Sequence, residues 1–177
     1  MWWTAAAVAA GLSVYSWFIE PQWRRINHRT LRLRGSFPRP LRILHLSDLH
    51  FYPGATECQR FLHKLAEDVP DFIFITGDFI DNDRGIDLCI EALRPLKARV
   101  GIYAVLGNHD YVHIRLRSLF HRTGTSVYDL YHEYNDVERL AAELRRLGIE
   151  VLRNERRTVL ADGCPVTVAG VDDPYTE

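Results

Sequence analysis

The sequence predicts an α/β fold built on a parallel β-sheet, and two observations carry that prediction. Three short apolar segments, at about 41–47, 72–76 and 100–106, have the length and composition of buried strands. Segments with helical spacing of apolar residues separate them, so the order is strand, helix, strand, helix, strand. Because crossover connections between parallel strands are nearly always right-handed, all three strands are expected to end at the same edge of one sheet.

The two connecting helices have recognisable boundaries and apolar faces. Thr56 is a candidate N-cap for the first helix, and Pro70 ends that region before the second strand. The second helix carries apolar residues at helical spacing between Ile86 and Leu96. Each helix therefore completes one βαβ unit.

The chain after the third strand is less regular at first and then regains a clear pattern. Residues 111–131 have no clean period, and we expect an irregular loop there. A helix over about 136–147, a strand over 149–152 and a hairpin over 158–171 follow. The hairpin turn, Asp162-Gly163, is typical of type I′.

Residues 1–20 are predicted to form a transmembrane or signal-anchor helix. The run from Trp2 to Ile19 has no charged residue, and its eighteen residues are near the lower limit of roughly 17–25 for a spanning helix. Aromatic residues towards its two ends suit the headgroup interfaces. A cleaved signal peptide is less favoured because no basic residues precede the apolar run, and a buried N-terminal helix is a further alternative.

Residues 21–40 read as a basic juxtamembrane linker. No acidic residue lies between Glu20 and Asp48, whereas seven arginines do, at positions 24, 25, 29, 32, 34, 39 and 42. By the positive-inside rule this flank is cytoplasmic, so we expect the following domain at the cytoplasmic face of an inner membrane, with the arginines near anionic headgroups.

The remainder, 41–177, reads as one acidic globular domain. From Asp48 onward there are 22 acidic residues against 15 lysines and arginines, so no basic groove for nucleic acid is expected. The three cysteines are widely spaced and odd in number, which argues against a disulfide framework or a structural zinc site.

Polar residues follow each of the three predicted strands. Asp48 and His50 follow the first, Asp78 the second, and Asn108 and His109 the third. If the strands are parallel neighbours, these side chains meet in one crevice at their carboxyl ends. Oxygen and nitrogen ligands of this kind suit manganese, iron or zinc better than calcium. Two such ions about 3.5–4 Å apart favour displacement at phosphorus, so hydrolysis of a phosphate ester is the predicted reaction.

These residues form three motifs, Asp48-x-His50, Gly77-Asp78-x-x-Asp81 and Gly107-Asn108-His109-Asp110. In this order they resemble the first three motifs of the calcineurin-like metallophosphoesterases, over roughly residues 41–173. The resemblance implies that family's αββα sandwich, of which the N-terminal half to two-thirds is represented, and a site with two divalent metal ions.

The resemblance also implies a role for each residue. Asp48, His50 and Asp78 would bind the first metal, and Asp78 would bridge to a second metal bound also by Asn108. His109 would contact the scissile phosphate without binding metal and protonate the leaving oxygen. Asp81 would orient His109 and raise its pKa, as an acid role requires.

The anchor, the Glu20-Pro21 step and the run Gly170-Val171-Asp172-Asp173 resemble a membrane-associated bacterial branch of the family. That branch includes UDP-diacylglucosamine pyrophosphohydrolases. The expected substrate is therefore a phosphodiester or pyrophosphate, with a lipid-linked nucleotide as one possibility.

The chain departs from the family pattern after the third motif. Family members add an isolated histidine and then a Gly-His-x-His motif, whereas no histidine occurs here after His132. By this mapping the first metal lacks one ligand and the second lacks two. We therefore expect a C-terminally incomplete domain with an exposed sheet edge and core face. The alternative function is a catalytically impaired remnant, at most a weak metal-binding or interaction module.

Simpler interpretations apply to several residues near the motifs. His45, inside a strand, is expected to be structural. Asp172 and Asp173 are more simply explained as turn carboxylates than as site residues. Tyr111 either packs over substrate or covers the core, and the sequence leaves both open.

Overall fold

The computed structural model describes residues 37–114 and 132–173, together with 25–32 and seven positions between Thr4 and Ser16. The chain separates into two units, Met1–Gly35 and Ser36–Glu177. The second unit carries all of the elements discussed below.

Eight strands and four helices make up the described part of this unit. The strands are β1 (Ile43–Ser47), β2 (Phe72–Thr76), β3 (Gly101–Val105), β4 (Val112–Ile114), β5 (His132–Tyr134), β6 (Ile149–Val151), β7 (Glu155–Ala161) and β8 (Cys164–Gly170). The helices are α1 (Thr56–Leu65), α2 (Ile86–Leu93), α3 (Asn108–Tyr111) and α4 (Val137–Arg146), and a 3₁₀ turn spans Asp83–Gly85.

The central sheet is parallel, as predicted, with the strand order β1-β2-β3-β6. Its first three strands are in direct register, with Ser47 beside Thr76 and Thr76 beside Val105. The strand ends that precede the three motifs are therefore neighbours along one edge of the sheet. This arrangement confirms the geometry on which the predicted site depends.

Helices α1, α2 and α4 cover one face of the sheet. Apolar residues on the inner side of each helix are buried against alternate residues of the strands, because successive strand side chains point to opposite faces. The buried residues include Leu62, Cys89, Leu93, Leu140 and Leu144 from the helices and Ile73, Ile75, Ala104 and Ile149 from the sheet.

The opposite face is only partly covered. A smaller cluster of Phe72, Tyr103, Leu152 and Ala161 packs there beside the β7–β8 hairpin. Towards β1 this face is open, and Ile43 is 55% exposed. Within the described residues, the β1 end of this face is thus less covered than the part beside the hairpin.

The hairpin has the predicted turn. Asp162 and Gly163 both have positive φ angles, 50° and 80°, as a type I′ turn requires. Residues 115–131 of the predicted irregular loop lie outside the described residues. At the start of this region, helix α3 leads directly into β4, which pairs antiparallel with β5. These three-residue strands were too short to produce a recognisable alternating pattern.

An ion-pair cluster joins the start of the domain to Asp71, the residue that precedes β2. The buried Asp71 accepts two hydrogen bonds from Arg39, at 2.7 and 2.9 Å, and one from the backbone N–H of Arg42 at 2.7 Å. Arg99 lies 3.3 Å from the same carboxylate. Arg39, the last arginine of the predicted basic linker, is therefore paired with a buried carboxylate of the domain.

Most of the predicted anchor, residues 1–20, lies outside the described residues. Thr4, Val8 and residues 11–13 are helical. In the portion of the chain that the structure describes, no helix is long and apolar enough to cross a membrane.

Candidate metal centre

The loops after β1 and β2 remain paired beyond the ends of the strands. The backbone N–H of His50 donates to the carbonyl of Asp78 at 2.9 Å, and that of Phe51 donates to the carbonyl of Phe79 at 2.8 Å. The N–H of Asp81 in turn donates to the carbonyl of Phe51 at 3.1 Å. The first two motifs are therefore held together by their own backbones.

Three of the predicted metal ligands have left-handed backbone conformations. The φ angles of Asp48, His50 and Asp78 are 55°, 46° and 53°. A non-glycine residue in this region is uncommon and costs free energy, and such residues concentrate at functional sites. The left-handed conformation at all three residues therefore marks this edge of the sheet as a candidate functional site.

The structure brings these three side chains together. One ligand atom each from Asp48, His50 and Asp78 lies within 4.8 Å of the others. Small side-chain rotations would bring all three to one ion. Two carboxylates and one imidazole are typical ligands of a divalent transition metal, so the donor set fits the predicted first metal.

His50 is oriented by Asp81. Its Nδ1 lies 2.7 Å from Oδ1 of Asp81, and since a carboxylate only accepts, Nδ1 carries the hydrogen. The Nε2 atom then faces Asp78, 3.8 Å from Oδ2. The bond to Asp81 raises the pKa of His50 against the opposing effect of burial. A carboxylate behind a histidine ligand fixes the ring and its tautomer.

The position of Asp81 differs from the expected pairing with His109. Within the described residues no hydrogen bond joins Asp81 to His109. The two histidine rings instead lie edge to face, with 5.2 Å between their centroids. Because the first two loops continue as a paired ladder, Asp81 follows Phe51 and arrives beside His50.

The third motif forms helix α3, which approaches the second loop very closely. A Cβ on Gly107 would lie 2.3 Å from Oδ1 of Asp78 and 2.7 Å from its backbone nitrogen. The absence of a side chain at this position lets Asp78 accept a hydrogen bond from the backbone N–H of His109 at 3.0 Å. Asp78 thus joins the second and third motifs.

Asp110 joins the same two loops from inside the core. It is completely buried, and its carboxylate accepts from the N–H groups of Phe79 at 2.7 Å, Ile80 at 3.2 Å and Gly107 at 2.9 Å. Burial raises the pKa of Asp110 to about 7, although these three donors act to lower it. The last residue of the third motif therefore supports the site without facing it.

Asn135, which the sequence did not single out, supports the turn from another side. Its side chain donates to the carbonyl of His109 at 2.9 Å and contacts Nδ1 of His113 at 2.8 Å. Its backbone N–H donates to the carbonyl of Tyr111 at 2.8 Å. Nothing in the local sequence marks this contact, since it joins residues 26 positions apart.

A shallow groove runs beside the cluster. Asp78, Gly107 and Asn108 line it, together with Val171, Asp172 and Asp173. The structure thus places Asn108 in the same groove as Asp78. His45, in contrast, lies within β1, and its Nε2 is 2.7 Å from the hydroxyl of Thr76 in the neighbouring strand, which fits the structural role predicted for it.

Comparison with known proteins gives consistent matches. A family model described as calcineurin-like phosphoesterase matches residues 41–164. The uncharacterized metallophosphoesterase YkoQ of Bacillus subtilis is 35% identical over 157 residues, which cover 86% of this chain and 51% of that protein.

Two further relatives have more informative names. UDP-2,3-diacylglucosamine pyrophosphatase LpxG of Chlamydia muridarum is 34% identical over 60% of this chain and 35% of its own length. A bovine (Bos taurus) transmembrane protein with metallophosphoesterase domain is 29% identical over 75% of this chain and 27% of its own length. The chain therefore spans about half or less of the length of these relatives.

Proposed function

The chain belongs to the calcineurin-like phosphoesterase family, and we propose that it is a metal-dependent hydrolase of phosphodiester or pyrophosphate bonds. One observation carries the proposal, namely the convergence of Asp48, His50 and Asp78 from two separate strand ends to within 4.8 Å. Their left-handed backbone conformations support it, because the fold tolerates unfavourable geometry at the same three residues.

The proposed ligands divide between two metal positions. Asp48, His50 and Asp78 hold the first ion, and Asp78 and Asn108, which line the groove together, hold the second. Divalent manganese, iron or zinc bound there would act as a Lewis acid on the phosphoryl oxygens. Asp81 keeps the His50 ring in place through Nδ1.

His109 is the proposed proton donor to the leaving oxygen. Its backbone is held from two sides, by Asp78 at the N–H and by Asn135 at the carbonyl. Its ring lies beside that of His50, at the edge of the cluster. A histidine held at this place can reach the leaving group of a phosphate ester without occupying a metal position.

The proposed substrate is a phosphate ester that carries a lipid, with a lipid-linked nucleotide as the specific candidate. The relative named as a UDP-2,3-diacylglucosamine pyrophosphatase supports this choice. We further propose that residues 1–20 anchor the domain, through the basic linker 21–40, at the cytoplasmic face of an inner membrane. The relative named as a transmembrane protein supports the anchor.

A second candidate is an impaired remnant that binds metal weakly and turns over no substrate. In the described part of the chain, the group of side chains that could hold a metal ion contains three residues. Elemental analysis separates the candidates, because two tightly held ions per chain would contradict the remnant.

Hydrolysis of bis-p-nitrophenyl phosphate tests the main proposal. We expect turnover in the presence of manganese, abolished by Asp78→Ala and retained by Asp87→Ala. Asp87 is a matched control because its side chain is 81% exposed and lies outside the cluster and the groove. Turnover no higher than that of manganese alone would overturn the proposal for this chain.

A further inference from the structure

Two groups of residues line the groove beside the cluster: a first wall of Asp78, Gly107 and Asn108, and a second wall of Val171, Asp172 and Asp173, which lies outside the first three motifs. The second wall follows the last strand, β8. The first wall is built from strand ends whose backbones are hydrogen bonded to one another. The second wall is the start of a segment that has left the hairpin, so its position depends on side-chain contacts.

Asp172 makes those contacts through both carboxylate oxygens. Oδ1 accepts from the hydroxyl of Tyr111 at 2.5 Å and from the backbone N–H of Asp173 at 3.1 Å. Oδ2 accepts from Nε of Arg153 at 2.7 Å. The Asp172 side chain is 9% exposed, and a carboxylate this buried is stable only when its oxygens are paired.

Tyr111 and Arg153 reach Asp172 from two different elements. Tyr111 is the last residue of α3, the short helix that begins with Asn108 and His109. Arg153 lies between β6 and β7, also pairs with Glu138 of α4 at 2.6 Å, and places its guanidinium 5.7 Å from the Tyr111 ring centroid. The three side chains therefore form one cluster that ties the second wall to α3 and α4.

The hydrogen bonds of this cluster favour the ionised form of Asp172. Burial acts to raise the pKa of Asp172, but the bonds from Arg153 and Tyr111 outweigh it and keep the pKa below its ordinary value. Charge-assisted hydrogen bonds such as these are stronger than neutral ones and are directional. An alanine at 172 would leave Arg153 and the phenol of Tyr111 without their shared acceptor, and an asparagine would keep only one acceptor oxygen for the two donors.

We propose that Asp172 is a positioning residue. Through its bonds to Tyr111 and Arg153, it sets the distance between the second wall of the groove and helix α3, which begins at Asn108. This inference rests on the proposed function, because its purpose is to fix the second metal position and the groove where a phosphate ester would lie. The role is assigned to Asp172 because both of its oxygens accept hydrogen bonds from neighbouring elements.

Tyr111→Phe is the sharpest variant, because it removes one oxygen atom and leaves the buried ring in place. Tyr134→Phe is its matched control, as Tyr134 is 81% exposed. We expect Tyr111→Phe to weaken manganese binding by about tenfold, as is usual when a residue that orients a ligand is lost. We expect faster hydrogen–deuterium exchange in peptides covering residues 105–113 and 170–173, and no change with Tyr134→Phe.

Asp172→Asn provides the second variant if Tyr111→Phe does not fold, with Asp87→Asn as the control for the loss of charge. Faster exchange with unchanged manganese affinity would overturn the positioning role and leave the cluster purely structural. Unchanged exchange and unchanged affinity would overturn it as well. If the wild-type protein binds no manganese but Tyr111→Phe still speeds exchange in α3, the proposed function is overturned. The same result would support the structural link between Asp172 and α3.

Discussion

Gly77 and Gly107 pack backbone against backbone, so that a Cβ on Gly107 would lie 3.0 Å from Cα of Gly77. These residues are the glycines that open the second and third motifs. Their contact allows the ends of β2 and β3 to approach closely enough for Asp78 to bond to the N–H of His109. A steric requirement between two loops therefore determines the distance between two proposed functional residues.

Gly107→Ala should disrupt the site more than the fold. The new methyl group would meet Asp78 at 2.3 Å from Oδ1, and the backbone of that loop cannot move without breaking its bonds to the first loop. We expect loss of manganese-dependent hydrolysis together with a lower melting temperature. Gly148→Ala is the control, because its Cβ would meet nothing within 4 Å and its cost is limited to the positive φ of 81°. Wild-type turnover in Gly107→Ala would contradict the steric role.

Asp110→Asn should destabilise the protein by about 1–3 kcal/mol, the typical cost of an unsatisfied buried group. Both oxygens of Asp110 accept backbone N–H groups, so an amide must turn its NH₂ towards a donor, either at Gly107 or at Phe79. Urea denaturation would measure the loss. A variant as stable as the wild type would show that these hydrogen bonds contribute little.

The stability of the domain should fall in acid through Asp71. The hydrogen bond from Arg39, against the effect of burial, holds the pKa of Asp71 well below its ordinary value. A carboxylate with a lowered folded-state pKa contributes stability above its unfolded pKa of about 4, and that contribution is lost as pH falls further.

Asp71→Asn therefore should reduce the free energy of unfolding at pH 7 and flatten its dependence on pH below about 4. Thermal melts across pH 3–7 would test this, with Asp68→Asn as the control. The pair between Asp68 and Arg42 is exposed, so its removal should change the melting temperature much less. Equal effects of the two variants would contradict the role assigned to burial.

The strained backbone at Asp48 should be visible in a comparison of two replacements. Asp48→Gly and Asp48→Ala both remove the carboxylate, but only glycine adopts a φ of 55° without steric cost. We expect the glycine variant to be more stable than the alanine variant by about 1 kcal/mol, with manganese affinity reduced in both. An alanine variant of equal or greater stability would show that the left-handed conformation carries no strain.

The sequence was sufficient to predict those features of the fold and the site that arise from periodicity and local chemistry. Strong apolar runs predicted β1, β2 and β3 in a parallel sheet, and the Asp162-Gly163 pair predicted the hairpin turn, because each depends on residues close together in the chain. Asp48, His50 and Asp78 could be grouped for the same reason, since each follows a strand whose end was predictable.

The contacts between distant residues could not be obtained from the sequence. Asn135 and Asp172 act on α3 from 26 and 61 positions away along the chain, through hydrogen bonds that leave no pattern in the sequence. The pairing of Asp81 with His50 was not predicted either, because it depends on how two loops continue beyond their strands. Spacing alone cannot distinguish between two imidazoles whose centroids are 5.2 Å apart.

A calorimetric titration with manganese tests the metal centre most directly. The wild-type chain should bind at least one ion, and alanine at Asp48, His50 and Asp78 together should abolish that binding, whereas Asp87→Ala should leave it unchanged. Binding by the triple variant with the affinity of the wild type would contradict the assignment of the metal centre to these three residues.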